Sequence, residues 1–153
     1  MTLTSLLTTE LIKLPLTSEN KYQAIDELVG CLATNNMIKD RNMALDDVVE
    51  REQYLSTGLE NGLAVPHGKS KATSHLVMAL GISKEGIDFD SLDGKPAHII
   101  FLLLSPKNTS GPHIKALAQI TKKLKDADTR TQLMNANSAE EILALFKTLE
   151  END

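Results

Sequence analysis

The sequence has few of the residues that cross-link a chain, span a membrane or stack on nucleic-acid bases. Its one cysteine, Cys31, excludes a disulfide within the chain. Aromatic residues make up 3% and tryptophan is absent, which disfavours the stacking surfaces of proteins that bind single-stranded nucleic acid. The longest apolar run, Ile99 to Leu104, has six residues, whereas a membrane-spanning helix needs about 20. We therefore expect no direct membrane insertion.

The N-terminus also lacks the basic start and the long apolar stretch of a signal peptide. Together with the single cysteine, this predicts a cytoplasmic protein. The formal net charge of −5 argues against a nucleic-acid partner and against a polybasic membrane-surface protein. The 153 residues are 41% apolar and 24% charged, which fits one globular domain over residues 1–153.

Charge is distributed unevenly along the chain. Residues 67–125 contain nine lysines and four acidic residues, whereas the rest of the chain contains seven basic and seventeen acidic residues. This asymmetry is compatible with an ordinary mixed surface, and equally with a locally positive face that binds an anionic group.

The hydrophobic spacing predicts an α/β fold. Strands are expected at 11–16, at an edge because of Pro15, and at 63–65, 75–82, 86–90 and 97–104. Helices are expected after Ser18, over the stretch from Leu45 to Leu55, from Ser110-Gly111-Pro112 to Leu124, near 130–134, and after the capping box that begins at Ser138. Because residues 97–104 are apolar on both faces, they form the central strand. The expected architecture is a mixed sheet of about five strands, flanked by helices on both faces, in a single domain.

The four histidines are His67, His75, His98 and His113. They form no His-x-x-x-His pair and have no cysteine nearby, so we expect no metal site. His75 and His98 fall within or at the start of predicted strands, where we expect structural histidines whose ring nitrogens bond to the backbone.

His67 has a different setting, between Pro66 and Gly68 at the predicted end of a strand. Glycines at 58 and 62 allow backbone conformations that other residues avoid. This arrangement presents the imidazole outward, as a nucleophile that accepts a bulky anion requires. A turn histidine without a role is the alternative.

Two further residues are candidates for binding an anion. His113 follows Pro112 in the first turn of a predicted helix, where free N–H groups favour negative charge, although an exposed first-turn histidine needs no role. Arg51 lies late in a predicted helix, and its planar guanidinium suits a phosphoryl group. Cys31 is expected to be a small core residue rather than a nucleophile.

Several motifs resemble a known family. Arg51-Glu52, Ser56-Thr57-Gly58 and the segment 62–68 resemble the signature of enzyme IIA domains of the bacterial phosphoenolpyruvate:sugar phosphotransferase system (PTS). The similarity is to the fructose/mannitol class (type 2), which includes the nitrogen-regulatory IIA proteins. Segments 87–96, 101–106 and 113–118 resemble the family as well, so the resemblance covers nearly the whole chain, 1–153.

The resemblance implies a phosphocarrier. His67 would become a phosphohistidine by accepting a phosphoryl group from the carrier protein HPr. It would pass the group to a cysteine of a IIB component, and from there to a sugar that enters through the membrane component IIC. His113 would support the transfer and Arg51 would stabilise the phosphoryl group. No cofactor, nucleotide or metal is implied.

Two other functions stay open at this stage. A standalone IIA protein can control other proteins through its phosphorylation state, and a plain binding domain with a structural His67 would not be phosphorylated at all. One departure from the family pattern is Glu60, where many members have glycine. An acidic side chain close to the phosphoryl group would repel it unless the side chain points away.

Overall fold

The structure is a computed structural model that describes residues 2–152. Within this range the chain forms one mixed five-stranded sheet. Its strands are β1 (Ile12–Lys13), β2 (Leu63–Ala64), β3 (His67–Lys69), β4 (Val77–Ile87) and β5 (Ala97–Ser105). β4 and β5 are antiparallel, whereas β1 pairs parallel with β4, and β2 and β3 pair parallel with β5.

The helices form two groups. They are α1 (Lys21–Thr34), α2 (Arg41–Tyr54), α3 (Gly111–Leu124), α4 (Ala127–Asn135) and α5 (Ala139–Glu151), and two short 3-10 helices, Leu3–Ser5 and Thr9–Leu11, precede β1. α1 and α2 pack together, as do α3, α4 and α5 in sequence, and both groups contact the sheet. The predicted single-domain α/β fold, with helices on both faces of a mixed sheet, is confirmed.

β5 is the central strand. β4 lies along one of its edges, and β2 and β3 lie end to end along the other. Every side chain from Ile99 to Ser105 is buried, as predicted from a run that is apolar on both faces. Phe101 also packs against Phe146 of α5, with ring centroids 6.1 Å apart. Burying each large apolar side chain contributes about 1.5–3 kcal/mol, so this strand holds both helical layers in place.

Two strand predictions need correction. The segment at 11–16 pairs with β4 over two residues, Ile12 and Lys13. Beyond these two residues, Leu16 keeps one backbone bond to β4, from its N–H to the carbonyl of Ile82 at 2.8 Å, and its side chain packs over Gly81. The segment at 86–90 is not a separate strand, since β4 continues through an irregularity between Ile82 and Ile87.

Three helix details also differ from the predictions. α1 is capped by Asn20, whose side chain accepts from the backbone N–H of Gln23, while the Ser18 hydroxyl donates to Glu27. Leu55, where the second helix was expected to end, and the apolar Ile114 of α3 are 64% and 63% exposed. α2 ends at Tyr54, before Leu55, and α3 turns His113 rather than Ile114 toward the sheet.

Candidate functional site

β3 places His67 at an edge of the sheet. Pro66 ends the pairing of β2, and its carbonyl accepts from the backbone N–H of Leu103. His67 is therefore the first residue of a new short strand, opposite Leu103, rather than the last residue of the preceding one as predicted. A Cβ on Gly68 would lie 3.3 Å from the Cα of Val48 in α2, so glycine lets β3 approach α2 closely. Side chains alternate along a strand, so His67 and Lys69 share the side of β3 opposite to that of Gly68.

The imidazole of His67 is held in one orientation by its own backbone. Its Nδ1 lies 2.8 Å from the carbonyl oxygen of Val65. Because a carbonyl accepts, Nδ1 carries the proton and Nε2 keeps its lone pair in the neutral ring. Burial lowers the pKa of His67 below its ordinary value, and the Arg51 charge lowers it further, against the raising effects of the Val65 bond and of Glu52. The ring is thus neutral at neutral pH, with Nε2 able to act as a nucleophile.

His113 lies beside this ring. The centroids of the two imidazoles are 5.0 Å apart and their planes meet at 67°. Nδ1 of His113 is 2.9 Å from the hydroxyl oxygen of Ser105, at the end of β5. His113 is 7% exposed, so it is a buried first-turn residue and not an exposed one. Burial lowers its pKa to about 4, with further lowering by His67, Lys69 and Arg51.

The third predicted residue, Arg51, reaches the same cleft from α2. One guanidinium nitrogen donates to the carbonyl of Leu55, 2.8 Å away, just past the end of the helix. The structure therefore brings His67, His113 and Arg51 together. They line an open cleft of about 750 Å³, together with Asp47, Glu50, Tyr54, Gly68, Lys69 and Lys107.

Two lysines of the cleft, Lys69 and Lys107, were not singled out from the sequence. Both belong to the excess of lysine over residues 67–125, which was the sequence feature that could have identified them. The strand alternation that places Lys69 on the same side as His67 became visible only when β3 was seen to start at His67. With Arg51, these lysines make part of the cleft positive, although Asp47 and Glu50 contribute negative charge at its α2 wall.

A buried ion pair supports the segment that leads to β3. The Glu52 carboxylate is 2% exposed and lies 3.0 Å from the Lys21 ammonium. It also accepts from the backbone N–H of Thr57 at 2.8 Å and from the Thr57 hydroxyl. The carbonyl of Thr57 in turn accepts from the N–H of Val65, 3.1 Å away. These bonds connect α1 and α2 to the residue that orients His67.

The two glycines that precede His67, Gly58 and Gly62, are required for different structural reasons. Gly62 has φ +76°, a left-handed conformation that favours glycine. Gly58 is needed instead for space, because a Cβ there would lie 2.6 Å from the Ser91 hydroxyl oxygen. Glu60 is exposed and is not among the side chains that line the cleft. Its carboxylate is therefore solvated and lies outside the lining of the cleft that contains His67.

The remaining histidines and the cysteine lie elsewhere. His98 is held by its Nδ1, 2.8 Å from the carbonyl of Ser83, which confirms the predicted backbone partner. His75 is exposed and precedes β4, and its Nδ1 meets the hydroxyl of Ser74 rather than the backbone. Cys31 is buried, as predicted, and burial raises the pKa of its thiol.

Within residues 2–152, no three His, Cys, Asp or Glu side chains are grouped so that they could hold a metal ion. No helix in the same part of the chain has the length and apolar character to cross a membrane.

Comparison with known proteins matches residues 5–148 to the family model described as "Phosphoenolpyruvate-dependent sugar phosphotransferase system, EIIA 2". The chain belongs to this enzyme IIA family. It is 35% identical over 146 residues to the PTS system fructose-specific EIIABC component of Bacillus subtilis, covering 95% of this chain but 23% of that protein. It is also 32% identical over 146 residues to a nitrogen regulatory protein of Bradyrhizobium diazoefficiens, covering 95% of both chains.

Solved structures agree with this membership of the IIA family. The nitrogen regulatory protein IIA-Ntr of Neisseria meningitidis superposes with a TM-score of 0.82 at 29% identity, over 94% of this chain and 98% of that one. Enzyme IIAMTL of Escherichia coli, solved in complex with phosphorylated enzyme IIBMTL, superposes with a TM-score of 0.80, over 93% of this chain and 97% of that one. Because IIAMTL is 22% identical to this chain, this superposition shows a similarity of fold alone.

Proposed function

We propose that this IIA protein is a phosphocarrier that accepts a phosphoryl group on Nε2 of His67. The observation that carries the proposal is the orientation of this ring, whose Nδ1 is engaged by the Val65 carbonyl while its second nitrogen is left to the cleft. The donor is the phosphohistidine of HPr. The bond between phosphorus and the donor imidazole breaks as the bond to His67 forms.

The cleft supplies the stabilisation that such a transfer needs. A phosphoryl group on His67 carries roughly −2 charge near pH 7. Phosphoryl transfer depends mainly on positioning and on neutralising this charge. Arg51 and His113 line the cleft with His67, so a guanidinium and an imidazole are available as donors. In this proposal both support the transfer, and neither carries the phosphoryl group itself.

The acceptor is the cysteine of a IIB component, which then serves a sugar of the fructose/mannitol class through the membrane component IIC. Two relatives support this step. The fructose-specific EIIABC component of Bacillus subtilis, whose name includes the B and C components, contains a segment similar to this chain. Enzyme IIAMTL of Escherichia coli was solved in complex with phosphorylated enzyme IIBMTL. This proposal implies a cytoplasmic protein, which exchanges the phosphoryl group with HPr and with the IIB component.

A regulatory function is the second candidate. The nitrogen regulatory protein of Bradyrhizobium diazoefficiens is 32% identical to this chain over 146 residues, close to the 35% identity of the fructose-specific Bacillus subtilis protein over 146 residues. In this alternative His67 is phosphorylated in the same way, and the phosphorylation state controls partner proteins.

Phosphotransfer with purified components tests both candidates. Phosphoenolpyruvate, enzyme I and HPr should add one acid-labile phosphoryl group to the wild-type chain and none to His67→Ala. The labelled protein is then mixed with fructose-class and mannitol-class IIB proteins. Transfer to either supports the transport function, whereas retention of the label with every IIB supports the regulatory one. No labelling of the wild type would contradict both and leave a binding domain.

A further inference from the structure

The segment just before α3 is attached to the rest of the protein by one side chain. The Lys69 ammonium donates to the carbonyl of Thr109 and, at 2.7 Å, to the hydroxyl of Ser110. Within residues 2–152, no other hydrogen bond connects the segment 106–110 with any part of the chain outside α3. Lys69 therefore supplies the hydrogen bonds that hold this exposed segment beside β3.

The N-cap residue of α3 also bonds to Lys69. Ser110 is the N-cap of α3, yet its side chain caps no first-turn amide. A serine in this position ordinarily accepts from the second or third N–H of the helix. Here the second position is Pro112, which has no N–H, and the Ser110 hydroxyl meets Lys69 instead. A lysine from the sheet thus anchors the helix start.

β3 contacts this helix at two points. The His67 ring meets the ring of His113, and Lys69, two residues further along the same side of β3, meets Ser110. Ser110 and His113 are separated by one turn of α3. An anchor at the first of these positions limits how far the second can move away from His67.

We propose that Lys69 is a positioning residue for phosphoryl transfer, which acts by holding His113 against His67. The proposal rests on the proposed function of His67. Lys69 acts through the helix start and not as a direct ligand of the phosphoryl group. Misplacing a catalytic group by 1 Å can cost about 10²-fold in rate. Because water partly replaces a bond in an exposed segment, loss of this anchor should slow transfer by about tenfold.

A double-mutant cycle in the HPr-to-IIA transfer rate tests the proposal. Lys69→Met removes the ammonium and keeps the apolar stem. It should slow transfer about tenfold in the wild-type background and less than about twofold in the His113→Ala background, because the residue through which it acts is gone. Lys69→Arg, which can still donate to Thr109 and Ser110, should restore most of the rate.

Lys107→Met is the matched control. Lys107 lies within the segment 106–110 and lines the same cleft, but among residues 2–152 its ammonium takes no part in the bonds that Lys69 makes to Thr109 and Ser110, so its loss measures the effect of charge alone. Additive losses in the cycle, or equal losses for Lys69→Met and Lys107→Met, would overturn the proposal. A wild-type protein that HPr does not label would instead overturn the proposed function.

An NMR measurement that involves no phosphotransfer tests the positioning role of Lys69 independently of the proposed function. In the unphosphorylated protein, Lys69→Met should shift the ring resonances of His113 and weaken the cross-peaks between the His67 and His113 rings in NMR spectra. Lys107→Met should leave those cross-peaks in place. Unchanged cross-peaks in Lys69→Met would contradict the positioning role whatever the transfer rates.

Discussion

His67 and His98 make the same hydrogen bond in two different surroundings. Each ring has its Nδ1 at 2.8 Å from a backbone carbonyl, that of Val65 for His67 and that of Ser83 for His98. The two residues lie toward opposite ends of β5, since His98 is near its start and His67 pairs with Leu103 near its end. Both rings are therefore fixed in orientation and in tautomer.

The surroundings of the second nitrogen distinguish the two histidines. The His98 ring packs closely against two glycines, because a Cβ on Gly62 would lie 3.3 Å from its Cδ2 and a Cβ on Gly86 would lie 2.9 Å from its Cε1. The His67 ring borders a cleft that also contains His113 and Arg51. A fixed imidazole is thus common to both ends of the sheet. Open space with positive groups around it is found at the His67 end.

The largest effect should come from removing His67 itself. His67→Ala should accept no phosphoryl group from HPr, because Nε2 is the proposed attacking atom. His98→Ala is the matched substitution at the other end of β5 and should be labelled to the wild-type extent. Phosphoprotein gels under alkaline conditions measure both. Labelling of His67→Ala would remove the functional difference between the two histidines.

His113→Ala should show the next largest effect. Loss of one preorganised donor in other enzymes costs about 10²–10³ in rate. His113 is 7% exposed, so water has little access to replace it, and a loss in this range is expected in both half-reactions. Rapid-quench kinetics measure the loss, and circular dichroism checks that α3 is intact. A wild-type rate would reduce His113 to a packing residue like His98.

The depressed pKa of His113 should appear in the stability of the protein. Burial lowers this pKa to about 4, whereas the unfolded chain titrates near 6.5. Between these values the unfolded state binds a proton that the folded state does not, so stability falls as the pH decreases from about 7 to about 4. A shift of this size corresponds to about 3 kcal/mol. Urea unfolding of the wild type and of His113→Gln should show this difference in pH dependence, and parallel curves would contradict it.

The smallest effect concerns the glycines around His98. Gly86 has φ +90°, and a Cβ there would lie 2.7 Å from Pro96, so Gly86→Ala should destabilise the fold by about 2 kcal/mol. Gly94→Ala is the control, since Gly94 has φ +71° and nothing within 4 Å of an added Cβ. It should cost about 1 kcal/mol. Neither substitution should alter labelling of His67, and reduced labelling would mean that the two ends of β5 are coupled.

Much of the fold could be predicted because hydrophobic periodicity is a local signal. The run from Ala97 to Leu104 identified the central strand, and Ser138 identified the start of α5, whose N-cap it is. Boundaries were less accurate where long-range packing competes with local preference. The start of α1 is an example: the N-cap is Asn20 rather than Ser18, whose hydroxyl donates to Glu27.

The sequence by itself determined the candidates: a histidine between Pro66 and Gly68, a second after Pro112, and an arginine late in a helix. Only the tertiary structure decided that they meet, because Arg51, His67 and His113 come from α2, β3 and α3. The same holds for the buried Lys21–Glu52 pair and for Lys69 at the start of α3. Local spacing reports which side of a strand or helix a residue occupies. Distances between elements depend on how the sheet and helices pack, which no local pattern encodes.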